Sequence, residues 1–234
     1  MTTAASTPLP ADLPEPLPPF SAILLDLDGT ILDSAPGITA TLAHTFRELG
    51  MPVPPHESLM RWVGPPIMES FALLAGLDAP TSERALQIYR EKYLDDGAYD
   101  STLYDGMGVL VQRIAAAGIP LSLATSKPEV PATLMLEHVT LATCFTVITG
   151  ASADETRSAK ADVVEEALRR LDGLGVDLSN VVMVGDRIHD IEGAALHGVP
   201  TIAVEWGYGT PAEHAHAAAI ARTVDDLTGM LGLE

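Results

Sequence analysis

Positive charge is scarce in this chain of 234 residues: 13 Lys and Arg stand against 32 Asp and Glu, a formal net charge of −19. Nucleic-acid affinity rests on clustered lysine and arginine, so a nucleic-acid partner is disfavoured and a solvated acidic surface is expected. Cysteine is scarcer still. With Cys144 alone no internal disulfide can form, which points to a reducing compartment; the residue sits in the apolar run Cys144–Ile148 and reads as a buried strand residue rather than a catalytic thiol. No stretch supplies the ~20 apolar residues of a membrane span, and no internal repeat is visible. The first nineteen residues hold six prolines but neither a basic n-region nor an unbroken apolar h-region. They read as a disordered leader of polyproline character, not a signal peptide, and a cytoplasmic location follows.

What the chain does have is alternation. Apolar runs at Ala22–Leu25, Pro120–Ala124, Phe145–Ile148, Val181–Val184 and Thr201–Val204 read as strands. Between them, helical patterns are predicted near Met107–Ala117, Val130–His138, Lys160–Leu171 and Ile188–His197. Such βα alternation implies an α/β fold, a Rossmann-like parallel sheet covered by helices. Residues 35–103 break the rhythm and read as helical throughout, with Ile38, Leu42 and Phe46 on one face. The expected organisation is a leader over 1–19, a core formed by 20–34 and 104–234, and an inserted helical cap over 35–103.

The segment Asp26-Leu27-Asp28-Gly29-Thr30 closes the first predicted strand. Alternate strand residues point the same way, and open α/β sheets place their sites at the carboxyl ends of strands. Asp26 and Asp28 can therefore share one pocket, where one carboxylate attacks while the other moves protons; the plainer reading is a strand-to-turn junction using Asp-Gly turn chemistry. The second strand ends Ala124-Thr125-Ser126-Lys127. The Thr125 hydroxyl and the Ser126 amide are donors suited to phosphoryl oxygens, unless Thr125 is only a helix N-cap. Lys160 lies at the head of a predicted helix, and the run Val181–Val184 leads into Gly185-Asp186-Arg187-Ile188-His189-Asp190.

Together these four segments, in this order, resemble the motifs of the haloacid dehalogenase superfamily, over nearly the whole chain from about Phe20 onward. The resemblance implies that core fold with its helical cap, and an aspartate-nucleophile phosphatase. It implies Asp26 as nucleophile, Asp28 as general acid and base, and Mg2+ held by Asp26, Asp186 and the carbonyl of Asp28. Asp190 would ligate directly or through water. Lys160 has the family's position for the lysine beside the phosphoryl group, with Lys127 as a rival. Dehalogenases of this superfamily lack the second aspartate, so Asp28 and Asp186 argue against carbon–halogen cleavage.

The wording of Val63-Gly64-Pro65-Pro66, Ala124–Pro128 and Trp206-Gly207-Tyr208-Gly209 is similar to the phosphoglycolate phosphatase and 5′-nucleotidase-like branch. The third motif, Arg157-Ser158-Ala159-Lys160, departs from the Lys-Pro-x-Pro form common among phosphoglycolate phosphatases and tilts the reading toward the nucleotidase-like side. The expected partner is a small-molecule phosphate ester; the oligomeric state is not legible. Arg61 and Gly64 in the cap would reach the substrate, the cap moving as a lid hinged near Asp33–Ala35 and Tyr104–Gly106. Trp206 is expected either at the pocket rim or in the core, and His189, His214 and His216 on the solvated surface. A sugar phosphomutase and a non-catalytic interaction protein on this scaffold are the alternatives.

Overall fold

Every residue of the first apolar run is buried, because its strand is covered on both faces. The computed structural model describes residues 13–233. Its first elements are β1 (Ala22–Leu25), β2 (Leu32–Asp33), α1 (Ala35–Glu48), α2 (His56–Leu59), α3 (Ile67–Ala75), α4 (Ala79–Asp95) and β3 (Thr102–Leu103). The chain continues through α5 (Met107–Ala116), β4 (Leu121–Pro128), α6 (Glu129–His138), β5 (Val147–Ala151), α7 (Lys160–Gly173), β6 (Val181–Gly185) and α8 (Ile188–Ala195). It ends with β7 (Thr201–Val204), α9 (Pro211–His214), β8 (Ala219–Ala221) and α10 (Val224–Met230).

Six strands form one sheet in the order β5-β4-β1-β6-β7-β8, every pairing parallel. Parallel strands buried on both faces need no polar alternation, and the two faces can be told apart residue by residue. Ile23 and Leu25 of β1 join Leu123, Val182 and Val184 in a cluster with Leu110, Val111 and Ile114 of α5. Ala22 and Leu24 turn the other way, toward Met183 and the Val163, Val164, Ala167 and Leu171 stripe of α7. Leu25 pairs with Leu123 on one side and Val184 on the other. This register brings the residues just past β1, within β4 and past β6 to one edge of the sheet. The chain leaves β1 for β4 on one flank and later crosses to β6 on the other, so this edge is a topological switch point.

Helices α1 to α4 lie between the two short strands β2 and β3, which pair antiparallel, Leu32 with Leu103 and Asp33 with Thr102. Helix α1 packs closely at Gly37 against the 3-10 turn Gly97–Tyr99 that follows α4, where a Cβ would strike the carbonyl oxygen of Gly97. Inside this layer Trp62 meets Phe46 and Phe71 edge-on at 5.8 and 5.2 Å, and Tyr89 stacks on Tyr93 at 5.4 Å.

Several expectations change. β4 runs on through Thr125 to Pro128, because Pro128 continues the pairing to Ala151 after a shift of register. The stretch 35–103 is not helical throughout: it contains Asp33's partner strand, β3. Cys144 is half-buried in a 3-10 turn, Ala142–Cys144, and not in a strand, since β5 begins only at Val147. β8 and α10 had no counterpart in the sequence reading. Of the proline-rich leader, residues 1–12 lie outside the described residues; Pro16 is buried, and Asn180 Nδ2 donates to the carbonyls of Leu17 and Pro19. Among the described residues no helix is long and apolar enough to cross a membrane.

Candidate active site

Three carboxylates converge at the switch point. Asp26 follows β1, Asp186 follows β6 and Asp190 lies in the first turn of α8, and one oxygen from each lies within 4.8 Å of the others. Asp26 is 4 % exposed and the other two are fully buried. Burying an unpaired charge is costly, and the cation that meets this cluster is Lys160, the first residue of α7. Its Nζ lies 2.8 Å from Asp26 Oδ1 and 2.7 Å from Asp190 Oδ1, and donates to the Ala124 carbonyl at 2.8 Å. Gly193 of α8 makes room for the lysine stem, since a Cβ there would come within 2.9 Å of it.

One ammonium does not balance three carboxylates. Burial, then the charges of Asp190 and Asp26, hold the Asp186 carboxyl well above the usual range. Burial pushes Asp190 up to about 6 against the pull of Lys160. Lys160 itself would be lowered by burial, but Asp190 and Asp26 outweigh that and keep it protonated. Asp186 Oδ2 accepts from the amide of Tyr208 at 2.6 Å, while its Oδ1 is buried without a hydrogen-bond partner. A site of carboxylate oxygens with an orphaned lone pair fits a hard divalent cation. Gly29, at φ +80°, closes one side: any Cβ would collide with the Asp186 carboxylate, and the backbone angle itself favours glycine.

The Asp28 side chain stands outside this cluster. Its Oδ1 accepts from Ser34 Oγ at 2.5 Å, and its Oδ2 lies 3.1 Å from Lys127 Nζ. Lys127 also donates to the hydroxyl of Tyr93, at 2.7 Å, on helix α4. The two candidate lysines therefore face different acids, Lys160 beside Asp26 and Lys127 beside Asp28. Thr125 and Ser126 are buried within β4 on the same edge, and Thr125 Oγ1 accepts from the Lys127 amide at 3.3 Å. Thr125 is no helix N-cap, because α6 begins only at Glu129 with Pro128 before it.

Two cavities flank this edge under α1 to α4. One, of about 520 Å3, reaches Asp28, Lys127, Ser126 and Gly64; the other, of about 500 Å3, is lined by Arg61, Lys160, Arg187 and His189. Arg61 is exposed at the second, whereas its neighbour Trp62 is buried among aromatic rings. Gly64 lies against Arg187, which donates to the Val63 carbonyl at 2.6 Å.

The loop after β7 is a site-building element that the sequence reading left undecided. Trp206 packs partly buried against the core and donates from Nε1 to the Thr30 carbonyl at 3.1 Å. The Tyr208 hydroxyl accepts from the amides of Ser34 and Ala35 at 2.8 and 3.0 Å and donates to Asp33 at 2.8 Å. It thereby satisfies orphan donors at the start of α1. The signal was present in Gly207 and Gly209, where a side chain would collide with Asp186 atoms. His214 is a correction: expected at the surface, it is 2 % exposed, with Nε2 2.7 Å from the Asp186 carbonyl oxygen. The closeness of Gly209 to that ring explains how it fits. His216 is exposed, so the two histidines share no site. His189 is half-buried, and burial, then Arg187, lowers its pKa.

Comparison with known proteins agrees with this architecture. The family described as haloacid dehalogenase-like hydrolase matches residues 23–204. The chain is 39 % identical over 219 residues to the tyrosine-protein kinase PtkA of Mycobacterium tuberculosis, covering 90 % of this chain and 72 % of that protein. It is 34 % identical to a 5′-nucleotidase of Pseudomonas aeruginosa, over 83 % of this chain and 86 % of that one. A crystal structure described as a predicted phosphatase from Clostridium acetobutylicum superposes with a TM-score of 0.83 at 34 % identity, covering 90 % of this chain and 97 % of that one. With four motif segments gathered at one sheet edge and a family match spanning most of the sheet, the chain belongs to the haloacid dehalogenase-like hydrolases, among their phosphatases.

Proposed function

We propose that this protein is a Mg2+-dependent phosphatase that hydrolyses small phosphomonoesters through an aspartyl phosphate on Asp26. The observation that carries the reading is the pairing of two acids with two separate lysines at one strand edge, Asp26 with Lys160 and Asp28 with Lys127. Phosphate esters are anionic and repel a carboxylate nucleophile, so positive charge is needed at the phosphoryl oxygens. Lys160 supplies part of it. Asp26, Asp186 and the Asp28 carbonyl, with Asp190 beside them, would hold Mg2+, which when bound offsets the remaining negative charge of substrate and carboxylates.

Asp26 attacks phosphorus as the bond to the leaving oxygen breaks, and Asp28 gives that oxygen a proton. Asp28, now a carboxylate, takes a proton from water; the hydroxyl oxygen bonds to phosphorus, the bond to Asp26 breaks, and inorganic phosphate leaves. Thr125 Oγ1 and the Ser126 amide hold the phosphoryl oxygens. Residues 35–103 act as a lid that excludes bulk water, with Gly64 and Arg61 on its inner side. The test is formation of an acid-stable, hydroxylamine-sensitive phosphoenzyme by the wild type and its loss in Asp26→Asn. Turnover at the wild-type rate by Asp26→Asn, or in excess chelator, overturns the mechanism.

The identity with PtkA favours a second reading, transfer of the phosphoryl group to an acceptor hydroxyl instead of water. Inorganic phosphate as the sole phosphorylated product supports hydrolysis; label retained on a protein acceptor supports transfer, and an isomeric ester would indicate a mutase.

A further inference from the structure

Helix α9 is only four residues long, yet it grips the segment that carries Asp186. Pro211 stands in its first turn; the Thr210 hydroxyl accepts from the Glu213 amide at 3.3 Å, and the Glu213 carboxylate accepts from the Thr210 amide at 2.7 Å. This reciprocal cap fixes the turn. From it, Glu213 Oε1 accepts from Arg187 Nε at 3.1 Å, and His214 Nε2 lies 2.7 Å from the carbonyl oxygen of Asp186. A carbonyl oxygen only accepts, so Nε2 carries the proton and donates. β6 ends at Gly185 and α8 begins at Ile188, which leaves the Asp186–Arg187 peptide outside both ladders.

The other end of that peptide reaches a second acid: the Arg187 amide donates to Asp190 Oδ2 at 3.0 Å. A peptide unit is planar and trans, with its C=O and N–H on opposite sides, so whatever holds the carbonyl of Asp186 also aims the amide of Arg187. One imidazole thus bears on two carboxylates of the buried cluster. It acts on Asp186 through that residue's own backbone, and on Asp190 through the hydrogen bond that leaves Oδ1 turned to Lys160. The fit is close, since a Cβ at Gly209 would strike both the Asp186 carbonyl oxygen and His214 Nε2. We infer that His214 is a positioning residue for the divalent cation, setting the placement of Asp186 and Asp190 through the Asp186–Arg187 peptide. This rests on the reading of the acidic cluster as the Mg2+ site. An apolar side chain at position 214 would leave a buried carbonyl without its donor, which is costly, and nothing on α9 would then hold the peptide plane.

The experiment titrates Mg2+ alone into the full chain by calorimetry, without substrate, for the wild type, His214→Leu and His214→Gln, each well below its melting temperature. Leucine lacks the donor; the glutamine amide offers an N–H at a reach similar to that of Nε2. Outer partners of metal ligands are worth roughly 10–100-fold in affinity. The Kd for Mg2+ is expected to rise by that factor in His214→Leu, and His214→Gln is expected to recover most of the loss. A role in packing alone would lower the Tm of both variants and leave the Kd of the folded protein unchanged. That result overturns the inference, as does equal weakening of Mg2+ binding in both variants. Should the variants not fold, nitrogen-15 spectra of the histidine-labelled wild type decide: Nε2 of His214 is expected to carry a proton protected from exchange, whose resonance moves when Mg2+ is added. A proton on Nδ1 alone, or a resonance indifferent to Mg2+, overturns the inference. Absence of Mg2+ binding by the wild type overturns the metal reading itself, and the inference with it.

Discussion

At the scale of single residues, the decisive imbalance is three buried carboxylates around one ammonium. Asp190 is raised to about 6 and Asp186 is held well above its ordinary range, in both cases chiefly by burial. An unfolded aspartate titrates near ~3.9. The folded, metal-free protein therefore binds these protons more tightly than the unfolded chain does. Their contribution to stability is complete below ~3.9; that of Asp190 is lost as pH rises through about 6, and that of Asp186 as pH rises through its own raised pKa. A cation at the cluster must displace the same protons. The gain in Tm caused by Mg2+ is accordingly expected to grow from about pH 5 to about pH 8 and to disappear in Asp186→Ala, as read from melts at fixed ionic strength. An equal gain at both ends of that range would count against these carboxylates as the cation site. Asp28, held by Ser34 and Lys127, belongs to a different step. Asp28→Asn should slow turnover by on the order of 10^2 to 10^4, with a smaller loss for aryl phosphates, whose leaving oxygen needs no proton. Equal slowing of single-turnover transfer from aryl and alkyl esters would remove Asp28 from the acid role.

At the scale of elements, what the sequence disclosed is the set of strand ends. β1 and β7 stand at the limits expected from their apolar runs, because a strand buried on both faces is unbrokenly apolar and stops where a charge or turn begins. Asp26, Lys160 and Asp186 stand out for the same reason, each just past a strand or at the start of a helix, whereas Thr125, expected at a strand end, lies inside β4. Residues whose place depends on the tertiary fold were not. Nothing local distinguishes Tyr93 from other apolar residues of α4, yet its hydroxyl meets Lys127; His214 lies among alanines that give no facial pattern, yet it is buried against Asp186. Trp62 stands in sequence between Arg61 and Gly64, both expected to reach the substrate, but it is 3 % exposed and packed between Phe46 and Phe71. Its replacement should therefore be felt first as stability. Trp62→Ala is expected to cost about 3–5 kcal/mol, measured by denaturant unfolding of the full chain, while Arg61→Ala leaves the midpoint nearly unchanged. A destabilisation below about 1 kcal/mol for Trp62→Ala would mean that the aromatic cluster does not organise this layer.

At the scale of the whole molecule, residues 35–103 join the sheet through the β2–β3 ribbon, through an apolar cluster that holds Ile38, Trp62 and Tyr93 together with Leu27, Ile31 and Met135, and through a set of polar ties. Arg187 reaches the Val63 carbonyl, Arg90 reaches Glu155, and Lys127 reaches Tyr93. Polar ties of this kind break and re-form more readily than a packed apolar interface, and Gly106, at φ +85°, stands beside the second crossing, where it can absorb rotation. The tie through Lys127 differs from the others because the same ammonium touches Asp28. On the proposed mechanism, closure of the lid and orientation of the acid would be coupled through this one side chain. Tyr93→Phe removes only the hydroxyl and keeps the ring stacked on Tyr89, so the fold should persist. Loss of a hydrogen bond from a charged donor is worth about 1.5–3 kcal/mol, and part of that loss should appear in turnover. We expect kcat to fall on the order of tenfold for alkyl esters, less for p-nitrophenyl phosphate, which needs no acid assistance. Protection of the 35–103 segment from proteolysis by Mg2+ and vanadate should weaken in parallel. A variant that loses protection with undiminished kcat, or kcat with undiminished protection, would separate the two events and show that Lys127 does not couple them.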